Sequence, residues 1–271
     1  MQRMYIINGG FDQGISPYDR GLSYGDGVFR TFKIINGLPV DWPLHYQRLV
    51  SDCGAIGIVC PSAEVLMSDI QSLFLPTDDA VAKIIITRGE GERGYAPPPV
   101  TMPTRIVFKS QLPSAMKKNY KEGVKLFVCK TILSYQASLV GVKHLNRLEN
   151  VMARAECNDP TFLDGVMLDV EGNVIECTSA NIFARFGKEL HTPLIDRCGI
   201  AGVTRQKIIN LAHQPMLKPI IKNIQLSELL DADEVIICNS INSALQVRTI
   251  ADKHWEMGDL ARRIREILTP R

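Results

Sequence analysis

The sequence predicts an α+β protein with two lobes, and three observations support this fold class. Strand-like and helix-like segments occur in both halves of the chain, but they do not alternate in the regular βαβ order of a parallel sheet. With 271 residues and 45% hydrophobic residues, the chain can form one large or two medium cores. A polar stretch with Pro113, Ser114 and several lysines separates the halves. We therefore predict a small N-terminal α+β domain over residues 1–112, an interdomain linker over 113–123 and a larger C-terminal domain over 124–271.

The N-terminal domain is predicted to combine strands with two helices. Asn36-Gly37 separates two apolar runs, and this dipeptide favours the positive φ angles of a tight hairpin turn. Pro43 suits the first turn of a helix that runs as far as Gly57. Strands are predicted over residues 4–7, 28–35, 38–40, 82–87 and 105–108, and helices over 43–57 and 63–74.

The C-terminal domain is predicted to be a second mixture of strands and helices. Apolar residues recur at helical spacing from Leu145 to Ala155, which predicts a helix over residues 146–155. Asp259 is expected to cap a closing helix that runs to Leu268. Strands are predicted over residues 125–130, 165–168, 174–177, 182–185, 220–224 and 234–238, with a further helix over 204–212.

Composition excludes several classes of protein. The formal net charge is +2, from 31 Lys and Arg against 29 Asp and Glu, so the chain lacks the positive excess that binds nucleic acid. The N-terminal apolar run is too short for a signal peptide and no apolar stretch is long enough to span a bilayer, so we expect a cytoplasmic protein without membrane contact. The 7 cysteines are scattered without a Cys-x-x-Cys pair, which predicts reduced thiols and no metal site.

A glycine-rich motif in the N-terminal half does not indicate a dinucleotide site. Gly89-Glu90-Gly91-Glu92-Arg93-Gly94 matches the Gly-x-Gly-x-x-Gly pattern, but Tyr95-Ala96-Pro97-Pro98-Pro99 follows it. The dinucleotide motif must open a helix, and three consecutive prolines cannot continue one. We interpret this segment as a loop that carries Arg93 and Tyr95, since an arginine fork suits a substrate carboxylate. The alternative is a solvated surface loop with an arbitrary arginine.

Lys143 is the residue with the clearest chemical interest. It lies in Gly141-Val142-Lys143-His144-Leu145-Asn146-Arg147, and Glu176 follows on a later strand-like segment, which suggests Schiff-base chemistry. An ordinary lysine with a pKa of about 10.4 is almost fully protonated at neutral pH, whereas an attacking amine must be neutral. Partial burial and the nearby cation Arg147 are expected to lower the pKa of Lys143. The alternative is a solvated surface lysine.

Five motifs resemble those of fold-type IV pyridoxal-phosphate enzymes, in the same order and over nearly the whole chain. They are Tyr24-Gly25-Asp26-Gly27-Val28-Phe29, the helical His45-x-x-Arg48-Leu49, Lys143, Glu176-Cys177-Thr178-Ser179-Ala180-Asn181-Ile182-Phe183 and Gly199-Ile200-Ala201-Gly202-Val203-Thr204-Arg205. The resemblance implies a small N-terminal α/β sandwich and a larger β-barrel-like C-terminal lobe. It also implies pyridoxal 5'-phosphate as cofactor, a small-molecule substrate and a homodimer in which the partner closes part of each site.

The resemblance assigns a role to several residues. Lys143 would bind the cofactor aldehyde and then act as general base, while Glu176 would pair with the pyridine nitrogen and favour its protonated form. The residues implied to hold the cofactor, most of them at its phosphate, are Arg48, Asn181, Val203, Thr204 and Ser240. The glycines at 199 and 202 allow close backbone approach, and a helix N-terminus at Val203 would favour an anion. The alternatives are a water-facing Glu176, an exposed Arg48 and a simple N-cap at Thr204.

The expected substrate contacts favour a carbon–oxygen lyase within this group. Arg93 and Arg30 are candidates for substrate carboxylates, with Thr31 and Tyr95 beside them. D-Amino-acid transaminases of this fold carry an Arg-x-His trap in the loop that here reads Arg93-Gly94-Tyr95, so the histidine is missing. Phe29 stands where some transaminases have a tyrosine near the phosphate, so a phosphate contact is not expected from it.

Three rival interpretations stay open at the level of sequence. The first is an aminotransferase for D- or branched-chain amino acids, which would share the early chemical steps. The second is a catalytically silent protein that stores or carries the cofactor. The third is an interaction domain that binds no cofactor.

Overall fold

The computed structural model describes residues 4–213 and 218–268. They belong to two compact units, and helices and strands occur in both, as expected for an α+β protein. The first unit comprises Met1–Pro113 and Val142–Asn146, and the second comprises Ser114–Gly141 and Arg147–Arg271. Lys143 therefore folds with the N-terminal half of the chain. No helix within the described residues is long and apolar enough to cross a membrane.

The first unit is built on a five-stranded antiparallel sheet with strand order β1-β5-β4-β2-β3. Its elements are β1 (Tyr5–Ile7), α1 (Arg20–Tyr24), β2 (Gly27–Ile35), β3 (Leu38–Pro39), α2 (Trp42–Ala55), α3 (Ala63–Leu73), β4 (Ala80–Thr87) and β5 (Arg105–Gln111). The predicted hairpin between β2 and β3 is confirmed, with φ values of 50° at Asn36 and 73° at Gly37. Positive φ at both central residues matches the twist of the flanking strands.

The core of the first unit lies on one face of this sheet. Along β2 the fully buried Val28, Phe32 and Ile34 alternate with residues that are only partly buried, as expected for a strand covered on one face. Leu49 of α2 and Ile70 of α3 join the same apolar cluster. Truncation of a buried phenylalanine such as Phe32 to alanine typically costs about 3–5 kcal/mol.

The second unit is built on a nine-stranded sheet. Its elements are α4 (Met116–Glu122), β6 (Val124–Val128), a 3₁₀ turn (Ala137–Leu139), α5 (Leu148–Ala155), β7 (Phe162–Leu168), β8 (Val174–Cys177), β9 (Asn181–Phe186), β10 (Glu189–Pro193), α6 (Val203–Ile209), a 3₁₀ turn (Asn210–His213), β11 (Lys218–Lys222), α7 (Leu226–Leu230), β12 (Glu234–Asn239), β13 (Ser243–Ile250), β14 (Lys253–His254) and α8 (Leu260–Leu268). The strand order is β11-β10-β9-β12-β13-β6-β7-β8, and β14 pairs with β13.

This sheet curls until its two ends meet. The N–H of Val174 in β8 donates to the carbonyl of Ile224, just after β11, at 2.8 Å. Asn173 and Gln225 form an antiparallel bridge beside that bond. Since β8 and β11 are the terminal strands of the sheet, these contacts give the unit the barrel-like form that the resemblance implied.

Some elements were missed because their side chains do not show a clear period. The predicted linker over residues 113–123 contains α4, which has no buried residue and therefore no apolar stripe. β13 was not predicted, since polar side chains such as Gln246 and Thr249 interrupt its apolar pattern although both are buried. The sequence prediction also lacked α1, β10, α7 and β14.

Helix α5 was predicted correctly, but its large apolar residues do not face the core. Leu148, Val151 and Met152 are 69%, 62% and 54% exposed. The buried positions of the helix are Asn150 and Ala153. Asn150 donates to the Thr178 carbonyl at 3.2 Å, and Ala153 packs in an apolar cluster with Leu133 and Met167, so a side-chain hydrogen bond and one small apolar contact hold this face against the unit.

Candidate functional site

The segment that carries Lys143 is fixed along an open edge of β2. The short strand β3 pairs only with Ile34 and Ile35, which leaves the beginning of β2 free on that side. Phe29 N donates to the Lys143 carbonyl at 2.9 Å, and Leu145 N donates to the Gly27 carbonyl at 2.9 Å. These bonds place Lys143 beside β2 although more than one hundred residues separate them in sequence.

One buried carboxylate, that of Asp52 in α2, connects three of the predicted site residues. It accepts a hydrogen bond from the Lys143 backbone N–H at 3.2 Å and forms an ion pair with Arg30 of β2. Arg48, one helical turn earlier, lies 3.3 Å from the same carboxylate through its Nε. Arg30 and Asp52 are only 3% and 1% exposed, and burial lowers the pKa of the Arg30 guanidinium although Asp52 opposes the shift. Arg30 therefore lies on the buried face of β2, where Asp52 neutralises its charge.

The other face of β2 brings two amines to one aromatic ring. The Nζ atoms of Lys143 and Lys83 lie 4.5 Å and 4.9 Å from the centroid of the Phe29 ring. Thr31 lies on this face too, because it follows Phe29 by two residues, and it is paired in register with Lys83 of β4. Burial lowers the pKa of Lys83. The structure thus brings the predicted Lys143 and Thr31 to one face of the sheet and adds Lys83.

Sequence reasoning missed Lys83 and Asp52, although each left a signal. Lys83 interrupts the apolar strand Ala80–Thr87, and a charged residue within such a run needs a partner or a function. Asp52 occupies a buried position of α2, four residues after Arg48. A carboxylate at a core-facing helical position is an equally unusual feature.

The segment with Arg93 and Tyr95 is a loop, as the sequence predicted, and both of these residues are exposed. Arg93 lines an open cavity of about 470 Å³ together with Tyr18, Glu92 and Pro98. Tyr95 is 86% exposed, and its ring packs edge-on against Tyr24 with a centroid distance of 5.5 Å. Both side chains therefore remain accessible to a ligand.

In the second unit, Glu176 and Asn181 hold the same peptide segment. Glu176 in β8 is 2% exposed, and its Oε2 accepts the Ile200 N–H at 2.8 Å. Asn181 at the start of β9 donates from Nδ2 to the Ile200 carbonyl at 2.8 Å. The alternative of a water-facing Glu176 is therefore wrong.

The loop before α6 requires glycine where it approaches these residues. Gly199 has a φ of 90°, a region that other residues rarely adopt. A Cβ on Gly202 would lie 2.2 Å from Oδ1 of Asn181, which is too close for any side chain. Val203 and Thr204 follow as the first residues of α6, and both are buried. This geometry keeps their backbone close to Asn181.

Ser240 lies in the tight turn between β12 and β13. The Asn239 side-chain oxygen accepts the N–H groups of Ile241 and Asn242 at 3.0 Å and 2.8 Å. The Asn239 amide donates to the Ser179 carbonyl at 3.2 Å. The turn that carries Ser240 is therefore anchored to the chain between Glu176 and Asn181.

Two arginines, the partly buried Arg147 and the buried Arg205, contribute positive potential around Glu176. Burial lowers the pKa of both Arg147 and Arg205, while their electrostatic attraction to Glu176 acts in the opposite direction. Arg205 donates to the Thr192 hydroxyl at 3.2 Å and to the Pro193 carbonyl at 2.8 Å. A carboxylate in this position can accept a hydrogen bond from a nitrogen that carries a proton.

A family model for amino-transferase class IV matches residues 27–250. This range contains the segment of Lys143, the buried Glu176 and the glycine loop before α6. The chain belongs to the amino-transferase class IV family. The match covers well over half of the sequence, so the family assignment applies to the fold as a whole.

Members of the class IV family that resemble this chain include proteins named as lyases and as aminotransferases. An aminodeoxychorismate lyase of Vibrio harveyi is 34% identical over 265 residues, covering 96% of this chain and 98% of the relative. The crystal structure of 4-amino-4-deoxychorismate lyase from Pseudomonas aeruginosa has a TM-score of 0.92 and 38% identity, and 98% of each chain is covered. A hypothetical aminotransferase from Mycobacterium tuberculosis in a PLP-bound form has a TM-score of 0.83, with 98% and 97% covered, but at 17% identity it supports the fold alone.

The class IV residues of this chain fit a pyridine aldehyde phosphate chemically. A buried carboxylate at Glu176 suits a ring nitrogen that carries a proton. The amine of Lys143 suits an aldehyde. The absence of any side chain at Gly202, where a Cβ would clash with Asn181, suits close approach of the backbone to an anion.

Proposed function

We propose that this protein is a pyridoxal-phosphate-dependent carbon–oxygen lyase that converts 4-amino-4-deoxychorismate to p-aminobenzoate, a precursor of folate, and pyruvate. The observation that supports it most is the likeness to the Pseudomonas aeruginosa lyase, with 38% identity over 98% of both chains. The Vibrio harveyi relative carries the same activity in its name. The chain has the residue types that the reaction requires, namely an amine at Lys143 and a buried carboxylate at Glu176.

Each predicted cofactor residue has a chemical task in this proposal. When bound, pyridoxal phosphate supplies an electron sink for a carbanion. Lys143 would hold the cofactor through its amine, and Glu176 would keep a proton on the pyridine nitrogen. The residues assigned to the rest of the cofactor, chiefly its phosphate, are Arg48, Asn181, Val203, Thr204 and Ser240.

Lys143 also moves the proton in the reaction. Once the substrate's ring amine has taken its place on the cofactor, the freed neutral amine of Lys143 would remove the proton from the substrate carbon that bears the ring amine. The bond between the adjacent ring carbon and the ether oxygen then breaks, and the enolpyruvyl group leaves as pyruvate after it gains a proton. The six-membered ring becomes aromatic, which makes the step irreversible. Lys143, now protonated, is the residue placed to return the proton.

The substrate is a dicarboxylate and needs cationic partners. Arg93, on the exposed loop, is assigned to one carboxylate, with Tyr95 beside it. Lys83 is assigned to the other carboxylate, because its amine lies on the same face of the sheet as Lys143 and Thr31. Arg30 supports the segment of Lys143 through Asp52 and does not reach substrate directly in this proposal.

A homodimer is part of the proposal, and the exposed face of α5 supports it. Leu148, Val151 and Met152 form an apolar stripe that the described residues of one chain leave exposed. A second copy that covers this stripe would remove it from water. A change of Val151 to aspartate is then expected to shift the molar mass in light scattering toward a monomer. The cytoplasmic location stays a prediction.

Supplying aminodeoxychorismate to the purified protein tests the proposed reaction. A lyase gives p-aminobenzoate and pyruvate in equal amounts without a second amino acid. Steady conversion of amino acid and keto acid pairs, with no lyase activity, would instead establish an aminotransferase, the rival that the class IV family favours. A protein that binds the cofactor but converts neither substrate would support a carrier.

A further inference from the structure

The loop over residues 89–96 is joined to the chain around α1 at its beginning. Arg20 N donates to the Gly89 carbonyl at 2.8 Å, and Gly91 N donates to the Tyr18 carbonyl at 3.1 Å. Asp19 and Glu90 form an antiparallel bridge between these bonds. The first half of the loop is therefore fixed by backbone hydrogen bonds.

The second half of the loop is held chiefly by the guanidinium of Arg20, which binds its backbone carbonyls. Its Nη1 donates to the Gly94 carbonyl at 3.0 Å, and its Nη2 donates to the Tyr95 carbonyl at 2.9 Å. A longer contact of 3.5 Å reaches the Ala96 carbonyl. Arg20 is 4% exposed, which is rare for an arginine in a loop-rich region. A planar fork can hold adjacent carbonyls in one geometry, whereas a lysine amine cannot.

Asp26 and Tyr24 keep Arg20 in this position. The Arg20 Nε donates to Asp26 at 2.9 Å, and Arg88 donates to the same carboxylate at 2.6 Å and 2.9 Å. Burial alone would raise the pKa of Asp26, but hydrogen bonds from Arg88 and Arg20 hold that pKa below its ordinary value. The Arg20 guanidinium lies 4.9 Å from the Tyr24 ring, whose hydroxyl accepts the Gly94 N–H at 3.2 Å.

We infer that Arg20 is a positioning residue that presets the loop for a substrate carboxylate. The backbone that it grips directly follows Arg93 and includes Tyr95, the two side chains assigned to the substrate. With the loop ordered in advance, binding does not have to supply the conformational entropy of ordering it. The inference rests on the proposed function for the identity of the substrate, but the hydrogen bonds from Arg20 to the loop do not depend on that function.

Arg20→Lys tests the inference, because lysine keeps the charge beside Asp26 and loses the planar fork. Trypsin cleavage after Arg93 is measured on the folded, cofactor-saturated protein by mass spectrometry, together with KM and kcat for aminodeoxychorismate. Cleavage is expected to accelerate about tenfold, since it follows the population of the open loop. KM is expected to rise about tenfold with kcat nearly unchanged. Arg197→Lys is the matched control, since Arg197 is an exposed arginine that pairs with Glu171.

Tyr24→Phe provides a second variant, since it removes only the hydroxyl that accepts the Gly94 N–H. Its cleavage is expected to accelerate less than that of Arg20→Lys, and thermal unfolding confirms that each variant is folded. Unchanged cleavage after Arg93 in folded Arg20→Lys would overturn the inference, as would faster cleavage with an unchanged KM. If the wild type converts no aminodeoxychorismate, the proposed function fails, and the cleavage rates still decide whether Arg20 holds the loop.

Discussion

In the first unit, the carboxylate of Asp52 binds the side chains of Arg30 and Arg48 and the backbone N–H of Lys143. In the second unit, Glu176 and Asn181 instead bind the backbone N–H and the carbonyl of a single residue, Ile200. The first arrangement depends on buried charges that neutralise one another. The second depends on hydrogen bonds between side chains and backbone. Removal of the buried Asp52 charge should therefore destabilise the first unit, while removal of the Glu176 charge should change the chemistry more than the stability of the second.

The largest effect is expected when the amine of Lys143 is removed. Lys143→Ala should lower kcat by a factor on the order of 10²–10⁴, since it removes the proposed general base. Reduction with borohydride in the presence of pyridoxal phosphate should label the wild-type peptide that contains residue 143 and leave the variant unlabelled. Lys118→Ala, at an exposed lysine that pairs with Glu122, is the control and should keep full activity. A label on another lysine would reject the assignment of Lys143.

The next effect concerns the stability of the first unit. Asp52→Ala leaves the Arg30 cation buried without its carboxylate and should lower the free energy of unfolding by about 3–5 kcal/mol in urea titrations. The double variant Asp52→Ala with Arg30→Met should recover part of that loss. Asp69→Ala is the matched control, because its partner Arg105 is partly exposed and can be solvated. Equal losses in the two single variants would show that burial of the pair is not the cause.

Glu176→Gln tests the other half of the comparison. Glutamine can still accept the Ile200 N–H through its oxygen but carries no charge, so the free energy of unfolding should fall less than for Asp52→Ala. The kcat should fall by about 100-fold, since the negative charge near the pyridine nitrogen is lost. Glu171→Gln, at an exposed glutamate, serves as control. A destabilisation as large as that of Asp52→Ala would break the distinction between the two units.

The smallest effect is expected for Lys83. Lys83→Met should raise KM by about tenfold with a smaller change in kcat, since one charge-assisted contact is lost. Burial lowers the pKa of Lys83, so its amine loses its proton below the usual pH for lysine. The wild-type KM should therefore rise as pH increases through that lowered pKa, and the variant should lack this rise. Lys125→Met, at an exposed strand lysine of the second unit, should keep the wild-type pH profile.

Strands with a clear period were predicted well from sequence, and elements without one were missed. β8 was predicted with its observed bounds, and β2 with an error of one residue, because apolar and polar residues alternate or cluster there. α4 lacks a buried face, and β13 buries Gln246 and Thr249, so neither shows the pattern of its class. In α5 the spacing identified a helix but could not tell which face is buried, since an apolar stripe can also face a partner.

The residues of the candidate site also fall into those that the sequence indicated and those that it did not. Lys143 and Glu176 were proposed from their motifs, because each motif is contiguous in sequence. Asp52 and Arg20 were missed, since their partners are distant: 91 residues separate Asp52 from Lys143, and 75 separate Arg20 from Tyr95. Local patterns carry no information about such pairs.

The sequence by itself determined the two-lobed α+β fold class, the hairpin at Asn36-Gly37 and the residue types available for chemistry. Backbone preferences and the intrinsic pKa of each side chain are local properties, so the sequence alone specifies them. Only the tertiary structure decided which charges are buried and what neutralises them. Lys143 joins the N-terminal unit through the open edge of β2, and Arg20 grips a loop far along the chain. These outcomes depend on strand order and on which edge remains unpaired, and both are set by packing of the whole sheet.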